Sequence, residues 1–353
     1  MLPVSQYAFL AESRELARAT GEVTPGFRSR DEAAIPDLAD GARAILNETE
    51  PAYRWLLAEV ARRELSMDAS ALALGDVPRL FGASMAAELP APVVDAAISG
   101  TFTDLGLDAV AAAVRIERRE TTWQDIVVPI DPPHRIVALT GRASGIGALA
   151  GGLRVAGEAL TYASVRESAP VEARWLSSPS VRPAYGHLLA FVTCEPEWVK
   201  DHLGSVDPSR YGKLAALSRI AAARQLAAQV LFEEALQDPR QNAILSYADV
   251  HTRALGVRVT PEAAAMFVED LRLEAPAELR AMELAARAER SLRGQKEAWW
   301  KDPVTTKKIR EGMQQAGYET RNELVNRFRA QRDDSKSLVD LLLEKATGAG
   351  FRP

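Results

Sequence analysis

Cysteine is almost absent from this 353-residue chain, which contains only Cys194. A single thiol cannot form an internal disulfide, and such scarcity is typical of proteins from a reducing compartment. Apolar runs are short as well, since none reaches the roughly 20 residues that a membrane-spanning helix needs. The N-terminal residues have no basic segment ahead of an apolar stretch, so we expect no secretion signal. These absences predict a cytoplasmic protein that does not associate with a membrane.

The sequence also lacks an excess of charge of one sign. The 43 Lys and Arg residues nearly balance the 48 Asp and Glu residues, which leaves a formal net charge of -5. No basic stripe indicates a nucleic-acid partner, and we expect none. Histidine is scarce, and no two of the four histidines have the spacing of metal ligands on one helix face. They are His134, His187, His202 and His251.

Helix-forming residues, by contrast, are abundant. Ala, Leu, Glu and Arg dominate, and apolar residues recur at three- and four-residue spacing. The Gly-rich residues at the C-terminal end are expected to fray. The spacing predicts helices over residues 213–236, 276–300 and 337–346. It also predicts helices within 36–65 and 71–115, which are divided by the Met67–Leu74 connection and by Pro78, Pro90 and Pro92.

Two short β-branched segments interrupt the helical pattern, at residues 126–130 (IVVPI) and 135–140 (RIVALT). The Asp131–Pro133 sequence between them favours a turn, so we predict a small hairpin or a pair of edge strands. Pro129 lacks the backbone N–H that a central strand uses, and it therefore favours an edge position.

A glycine-rich motif, TGRASGIG, follows at residues 140–147. It has the TGxxxGIG pattern of short-chain dehydrogenases, in which glycines let the backbone approach a pyrophosphate at a helix N-terminus. Here the motif comes after a long helical stretch, and no second strand with an acidic residue follows it. No tyrosine downstream has a lysine four residues later, as that family requires. We interpret the motif as a glycine-rich connection between a strand and a helix.

Several short segments, taken in order, carry a resemblance to a known family. They are 48–54 (ETEPAYR), 76–81 (DVPRLF), 105–108 (LGLD), 127–129 (VVP), 195–204 (EPEWVKDHLG), 279–281 (LRA) and 294–300 (GQKEAWW). Their order resembles that of the helical zinc metallopeptidases, the clan of thimet oligopeptidase and the angiotensin-converting-enzyme-like dipeptidases, in its bacterial members. The resemblance covers about residues 45–325.

This resemblance implies a mainly α fold around a cleft, with the small hairpin or edge sheet near residues 126–140. We expect one metallopeptidase-like domain over 1–353, with N-terminal helices in 1–115. The cleft is expected in 116–330, with a former active-site helix at about 147–164. A C-terminal helix and tail are expected in 331–353.

In these peptidases an HExxH helix and a glutamate from a later helix hold zinc. Histidines four residues apart share one helix face, and the glutamate between them acts as the base on zinc-bound water. The stretch that resembles this helix is RVAGEALTYA, residues 154–163. By resemblance, Arg154 and Glu158 stand at the histidine positions, Val155 at the base and Pro183 at the glutamate ligand.

These residue types cannot support zinc chemistry. Arginine stays protonated, valine accepts no proton, and proline has no side-chain donor atom. The resemblance therefore implies that the chain has no catalytic residues, no metal ligands and no cofactor. Arg154 and Glu158 are four residues apart on a predicted helix, so we expect an ion pair between them at the former metal position.

The sequence thus predicts a catalytically inactive pseudo-metallopeptidase that binds a protein or peptide, or has a structural or regulatory role. The side chains expected to line its cleft are Tyr162, Tyr185, His187 and Arg280. The alternative is a metal-free enzyme, or an NAD(P)-dependent one that uses the turn at 140–147. The sequence predicts no particular oligomeric state.

Overall fold

The computed structural model describes residues 35–77, 79–80, 84–119, 125–141, 144–204, 206–236, 238, 240–267, 275–330 and 335–352. Some of the expectations above include residues that lie outside these described residues. They are residues 1–34, Pro78 and Phe81 of the 76–81 segment, Arg142 and Ala143 of the glycine-rich motif, and residues 331–334 and 353.

Helices make up most of the described chain, as the residue spacing predicts. In chain order they are α1 Ile35–Glu48, α2 Glu50–Val60, α3 Ala91–Asp104, α4 Asp108–Ala111, α5 Gly145–Ala163, α6 Val171–Trp175, α7 Val181–Val192, α8 Pro196–Leu203, α9 Pro208–Ala235, α10 Ala243–Leu255, α11 Pro261–Phe267, α12 Ala275–Gln295, α13 Pro303–Gln315, α14 Arg321–Arg327 and α15 Ser335–Gly348. No helix in this described part combines the length and the apolar character that crossing a membrane requires.

Local signals explain where the long helices begin and end. Asp207 caps α9 by accepting the backbone N–H groups of Ser209 and Arg210, and Pro208 occupies the first turn. Helix α12 ends at Gln295, before the end of the predicted range 276–300. The described residues of 71–115 contain 3₁₀ turns and two separate helices, α3 and α4, and α3 begins at Ala91, directly after Pro90, which agrees with the predicted division of this range at its prolines.

The hairpin belongs to a three-stranded sheet, with strands β1 Val114–Arg118, β2 Ile126–Asp131 and β3 Arg135–Thr140. The strand order is β1-β3-β2, with β1 parallel and β2 antiparallel to β3. The edge position predicted from Pro129 is confirmed. Strand β1 lies at the end of the range predicted to be helical and was not predicted.

Helix α5 lies between the sheet and helix α7. Its sheet side carries Val155 and Ala159, which are fully buried and pack in one apolar cluster with Ile136 and Ala138 of β3. Its other side crosses α7, which in turn packs on α12. The observed bounds of α5, Gly145–Ala163, agree closely with the predicted helix at about 147–164.

Two glycines allow α5 and α7 to cross closely. A Cβ atom on Gly186 would lie 2.3 Å from the backbone O of Arg154 and 3.3 Å from the backbone N of Glu158. A Cβ atom on Gly157 would lie 3.0 Å from the Cα of Gly186. Only glycine fits at this crossing without moving backbone, and the crossing positions Arg154 and Glu158 beside α7.

The C-terminal end is packed, so the prediction that it frays is wrong. The backbone N–H of Phe351 donates to the carbonyl of Ala346, and Gly350 has a φ of 102° that suits glycine. The ring of Phe351 lies 5.9 Å from that of Trp55. Apolar contact with α2 and backbone hydrogen bonds to α15 together order these last residues.

Candidate functional site

Arg154 is the centre of a group of four charged or titratable side chains, which we call the Arg154 cluster: Arg154, Glu158, His187 and Glu278. Arg154 Nη1 lies 3.2 Å from Glu278 Oε1 and 3.7 Å from Glu158 Oε2. His187 Nε2 lies 2.8 Å from Glu278 Oε2. The exposed fractions of the Arg154, Glu158 and Glu278 side chains are 18%, 17% and 25%, so solvent reaches the cluster. The predicted ion pair between Arg154 and Glu158 is present in the structure.

Arg154 also connects the cluster to the sheet. Its Nη2 donates to the backbone O of Asp125, at 2.7 Å, directly before strand β2. Asp125 is itself held, because its Oδ1 accepts the N–H of Gly141 at 3.0 Å. A Cβ atom on Gly151 of α5 would lie only 2.5 Å from Asp125 Oδ2. One guanidinium therefore joins the start of the edge strand to helix α12.

His187 is the member of α7 that reaches the cluster. Its side chain is 5% exposed, and because a carboxylate oxygen accepts, Nε2 carries the proton that is donated to Glu278. In the described part of the chain Nδ1 is buried and has no hydrogen-bond partner. Burial lowers the pKa of His187, and the positive charges of Arg154 and Arg219 lower it further against the raising effect of Glu278. The ring is therefore neutral near pH 7.

This neutral histidine predicts an acid-dependent loss of stability. In the unfolded chain the imidazole titrates with the ordinary pKa of 6.5, and in the folded chain its pKa is lower. Between these two values the unfolded state binds more protons, so the contribution of His187 is present above pH 6.5 and is lost as the pH falls. Urea unfolding of the wild type should have a steeper pH dependence below pH 6.5 than that of His187→Gln, by up to about 1.4 kcal/mol per pH unit. Equal slopes for the two proteins would show that the ring is not held neutral.

The structure brings together the segments that carry Arg154, Glu158 and Pro183. Pro183 is buried in the first turn of α7, one turn before Gly186, which contacts the backbone of Arg154. Val155 points away from the cluster, into the apolar cluster between α5 and the sheet. Helices α5 and α7 are therefore neighbours at this point, and His187 is the side chain of α7 that contacts Glu278.

Three of the side chains expected to line the cleft have their closest polar partners outside the Arg154 cluster. The hydroxyl of Tyr185 is buried and donates to Glu319 Oε2 at 2.8 Å, on the opposite side of α7 from His187. Arg280 bonds to Glu283, 2.6 Å away. The ring of Tyr162 lies 3.8 Å from the buried guanidinium of Arg182. Of the four expected residues only His187 belongs to the Arg154 cluster.

The N-terminus of α5 has no free donors for a pyrophosphate at its first two positions. The backbone N–H of Gly145 donates to the carbonyl of Leu89 at 2.9 Å, and that of Ile146 to the carbonyl of Ser84 at 3.2 Å. A dinucleotide at this turn would need such N–H groups. The geometry therefore does not support the NAD(P) alternative.

Cys194 does not provide a reactive nucleophile, because burial raises the pKa of its thiol.

The side chains of the cluster do not fit a zinc ion as they stand. Within the described ranges no three His, Cys, Asp or Glu side chains are grouped so that they could hold a metal ion. The guanidinium of Arg154 lies against both carboxylates. Two surface cavities, of about 150 Å³ and 520 Å³, lie beside α2 and α9 and beside α12 and α15, and neither is lined by the cluster.

Sequence reasoning missed two residues of this site, Glu278 and Asp125. Glu278 lies in the first turn of α12, far along the chain from Arg154, and nothing in its local sequence indicates its partners. The only signal lies in the resemblance, which implies a tyrosine two residues before Arg280, where this chain has Glu278. Asp125 acts on Arg154 through its backbone carbonyl, which no side-chain motif reveals.

Comparison with known proteins finds similarity in structure only. No sequence profile of a known family matches the chain, and no curated protein matches it in sequence. PZ peptidase A, solved with an inhibitor, superposes with a TM-score of 0.69 at 12% identity, over 91% of this chain and 59% of that one. An oligoendopeptidase F from Bacillus anthracis strain Ames superposes with a TM-score of 0.67 at 14% identity, over 97% of this chain and 65% of that one. An M32 carboxypeptidase from Deinococcus radiodurans R1 superposes with a TM-score of 0.54 at 15% identity, over 98% of this chain and 78% of that one.

These similarities confirm the predicted fold class, which is that of the helical metallopeptidases. The chain spans about three fifths of the length of the first two of these structures. At such low identity the likeness establishes the fold alone.

Proposed function

We propose that this chain is a metallopeptidase-like protein that has lost zinc chemistry and binds an extended peptide segment of a partner protein along strand β2. The observation that carries the proposal is the guanidinium of Arg154 between Glu158 and Glu278, on the helix that corresponds by resemblance to the zinc-binding helix. We take Arg154 and Glu158 as the former histidine positions, Val155 as the position of the base and Pro183 as that of the third ligand.

The surroundings of α5 support the loss of the base. Val155 is fully buried against Ile136 and Ala138. A side chain in that apolar cluster neither accepts a proton nor contacts water. Within the Arg154 cluster the only neutral base is His187, and its Nε2 already donates to Glu278. A catalytic arrangement needs a nucleophile or water positioned by such a base, and no described contact provides one.

The edge of β2 supports peptide binding. Pro129 has no N–H to donate to β3, so in the alternating ladder its backbone faces the free edge, and so does that of Val127. Asp125 precedes Val127 by two residues, so its carbonyl faces the same edge, where it accepts a hydrogen bond from Arg154. No described strand pairs with this outer edge of β2, which begins at Arg154 and continues with the N–H and C=O of Val127 and the C=O of Pro129. An extended peptide that adds a strand here would bond to these groups.

Exposed apolar side chains lie along the same strand. Ile126, Val128 and Ile130 are exposed on the face of the sheet opposite α5. Near the hairpin turn, Arg174 Nη1 lies 3.4 Å from the carbonyl of Pro132, and the next residue in the chain, Trp175, is exposed. A peptide with alternating apolar residues would match an edge of this kind.

Val127→Pro is the substitution that tests this edge. It removes the only outward N–H between Val127 and Pro129 and leaves the pairing with β3 intact. Peptides selected from a random library against the wild type should bind Val127→Pro about 10-fold more weakly or worse, since a backbone hydrogen bond is lost and the ring obstructs the added strand. Fluorescence polarisation with labelled peptides measures the change.

Val127→Ala is the matched control, because it loses the same apolar contacts but keeps the N–H. It should bind the selected peptides within about 2-fold of the wild type. Equal binding by both variants, or a library that yields no specific peptide, would contradict the proposed groove. Cytoplasmic location and the absence of a nucleic-acid partner stay predictions from the sequence.

A further inference from the structure

We propose that a buried group of three side chains makes the docking of the C-terminal helix α15 depend on pH. The group, which we call the Lys345 cluster, consists of Lys345, Glu195 and Glu289. It holds α15 tightly while one of the two carboxyl groups keeps a proton, and it loosens when both are ionised. The inference uses no residue of the Arg154 cluster, so it stands or falls independently of the proposed function.

The Lys345 cluster joins three separate parts of the fold. Lys345 comes from α15, Glu289 from α12, and Glu195 directly precedes α8. Lys345 Nζ donates to Glu195 Oε1, and it donates to Glu289 Oε1 at 3.0 Å. The side chains of Lys345, Glu195 and Glu289 are only 5%, 7% and 0% exposed, so this polar contact lies inside the core.

The charges within the cluster do not balance. One ammonium group faces two carboxyl groups, and two carboxylates that share a buried site repel each other strongly when both are ionised. Glu289 Oε2 is buried and has no hydrogen-bond partner among the described residues, so an ionised Glu289 would leave a charged oxygen unsatisfied. A proton on Glu289 removes this cost and lets the carboxyl group donate to Glu195.

The surrounding charges do not compensate for a second carboxylate. Arg293 Nε lies 3.6 Å from Glu289 Oε1, but the arginine side chain is 30% exposed and also pairs with Glu344. An ion pair that is open to solvent and shared in this way contributes little to a buried charge. The charged and titratable groups around the cluster are Arg290 and Arg293 of α12, Asp340 and Glu344 of α15, Cys194 beside Glu195, and Arg219 of α9 next to that thiol.

The titration of Glu289 gives the direction of the pH effect. Burial raises the pKa of its carboxyl group from 4.5 to about 7, and Glu195 adds to the rise against the opposing charges of Lys345 and Arg293. When α15 opens, Glu289 becomes exposed and regains the ordinary value. The docked state therefore binds more protons, so its extra stability is complete below pH 4.5 and is lost as the pH rises through 7. This trend is opposite to that of His187, whose contribution is lost as the pH falls.

Glu289→Gln tests the inference, because its amide has the shape of the protonated acid and cannot ionise. Amide hydrogen exchange of the full chain, corrected for the intrinsic effect of pH on exchange, measures the opening of α15. In the wild type the protection of the α15 amides should fall about 10-fold between pH 6 and pH 8. In Glu289→Gln it should stay nearly constant over the same range.

Glu344→Gln is the matched control on the same pair of helices. Glu344 is 41% exposed and pairs with Arg293 and, at 3.4 Å, with Arg290. Removing its charge should leave the 10-fold fall of the wild type in place, since an exposed carboxylate gains no proton on docking.

Glu195→Gln provides a second measurement if Glu289→Gln does not fold. Without the negative charge of Glu195, Glu289 loses its proton at lower pH, so the fall between pH 6 and pH 8 should be smaller than in the wild type. A wild type with constant protection, or an unchanged fall in Glu289→Gln or in Glu195→Gln, would overturn the inference.

Discussion

Arg154→His combined with Glu158→His is expected to give a chain that binds one zinc ion tightly. The two new imidazoles would lie four residues apart on one face of α5, which is the spacing that zinc requires. Glu278 and His187 already lie at the edge of this position, because Glu278 Oε1 is 3.2 Å from Arg154 Nη1 and His187 Nε2 is 2.8 Å from Glu278. A third ligand of this kind completes the set that catalytic zinc sites use.

The matched control is Lys307→His combined with Glu311→His on α13. This pair has the same spacing and a similar ion-pair distance, 3.9 Å, but its side chains are 70% and 52% exposed. It provides two imidazoles with no third ligand from another helix. Zinc should therefore bind the α5 variant about 100-fold more tightly or better, as measured by competition with a chelator. Equal affinities would mean that residues 154 and 158 do not face a former metal position.

Gly186→Ala is expected to have the largest effect on stability. The new Cβ would lie 2.3 Å from the backbone O of Arg154, so α5 and α7 must separate. Forcing helices apart in a packed core typically costs about 1–3 kcal/mol, and we expect a value near 3 kcal/mol because the obstacle is backbone. The same movement should disturb the Arg154 cluster and weaken peptide binding at β2.

Gly212→Ala is the control for this substitution. Gly212 is also within a helix, α9, but a Cβ there meets nothing within 4 Å. Without a steric cost, the change should stabilise the protein by about 0.5–1 kcal/mol through helix propensity. Urea unfolding of both variants gives the comparison. A Gly186→Ala variant as stable as the wild type would show that the close crossing of α5 and α7 is not required.

Much of the fold follows from patterns that lie within a few residues of one another. The helical spacing in 213–236 and the β-branched segments around Asp131–Pro133 each reflect local preferences, and the structure confirms α9 and the β2–β3 hairpin. Strand β1 could not be predicted in this way. Its partner β3 comes about 20 residues later. The sequence of β1, VRIER, alternates apolar and polar residues over four positions only and follows an Ala-rich stretch, so the pattern is too short to separate it from a helix.

The site could be predicted only where its contacts lie within one helix. Arg154 and Glu158 are neighbours on one helix, so their contact follows from spacing alone. Glu278 joins them only through the packing of α12 on α7, which no local pattern encodes. Helix geometry did offer one correction: Tyr185 and His187 are two residues apart and point in nearly opposite directions, so only one of them can face the cluster.

The proposed loss of zinc chemistry depends on Arg154 standing where zinc would bind. Elemental analysis of the purified wild-type protein, after equilibration with zinc and removal of loosely bound ions, measures this most directly. We expect well under 0.1 zinc per chain, since the guanidinium already occupies the position between Glu158 and Glu278. One tightly held zinc per chain would contradict the proposed loss of zinc chemistry.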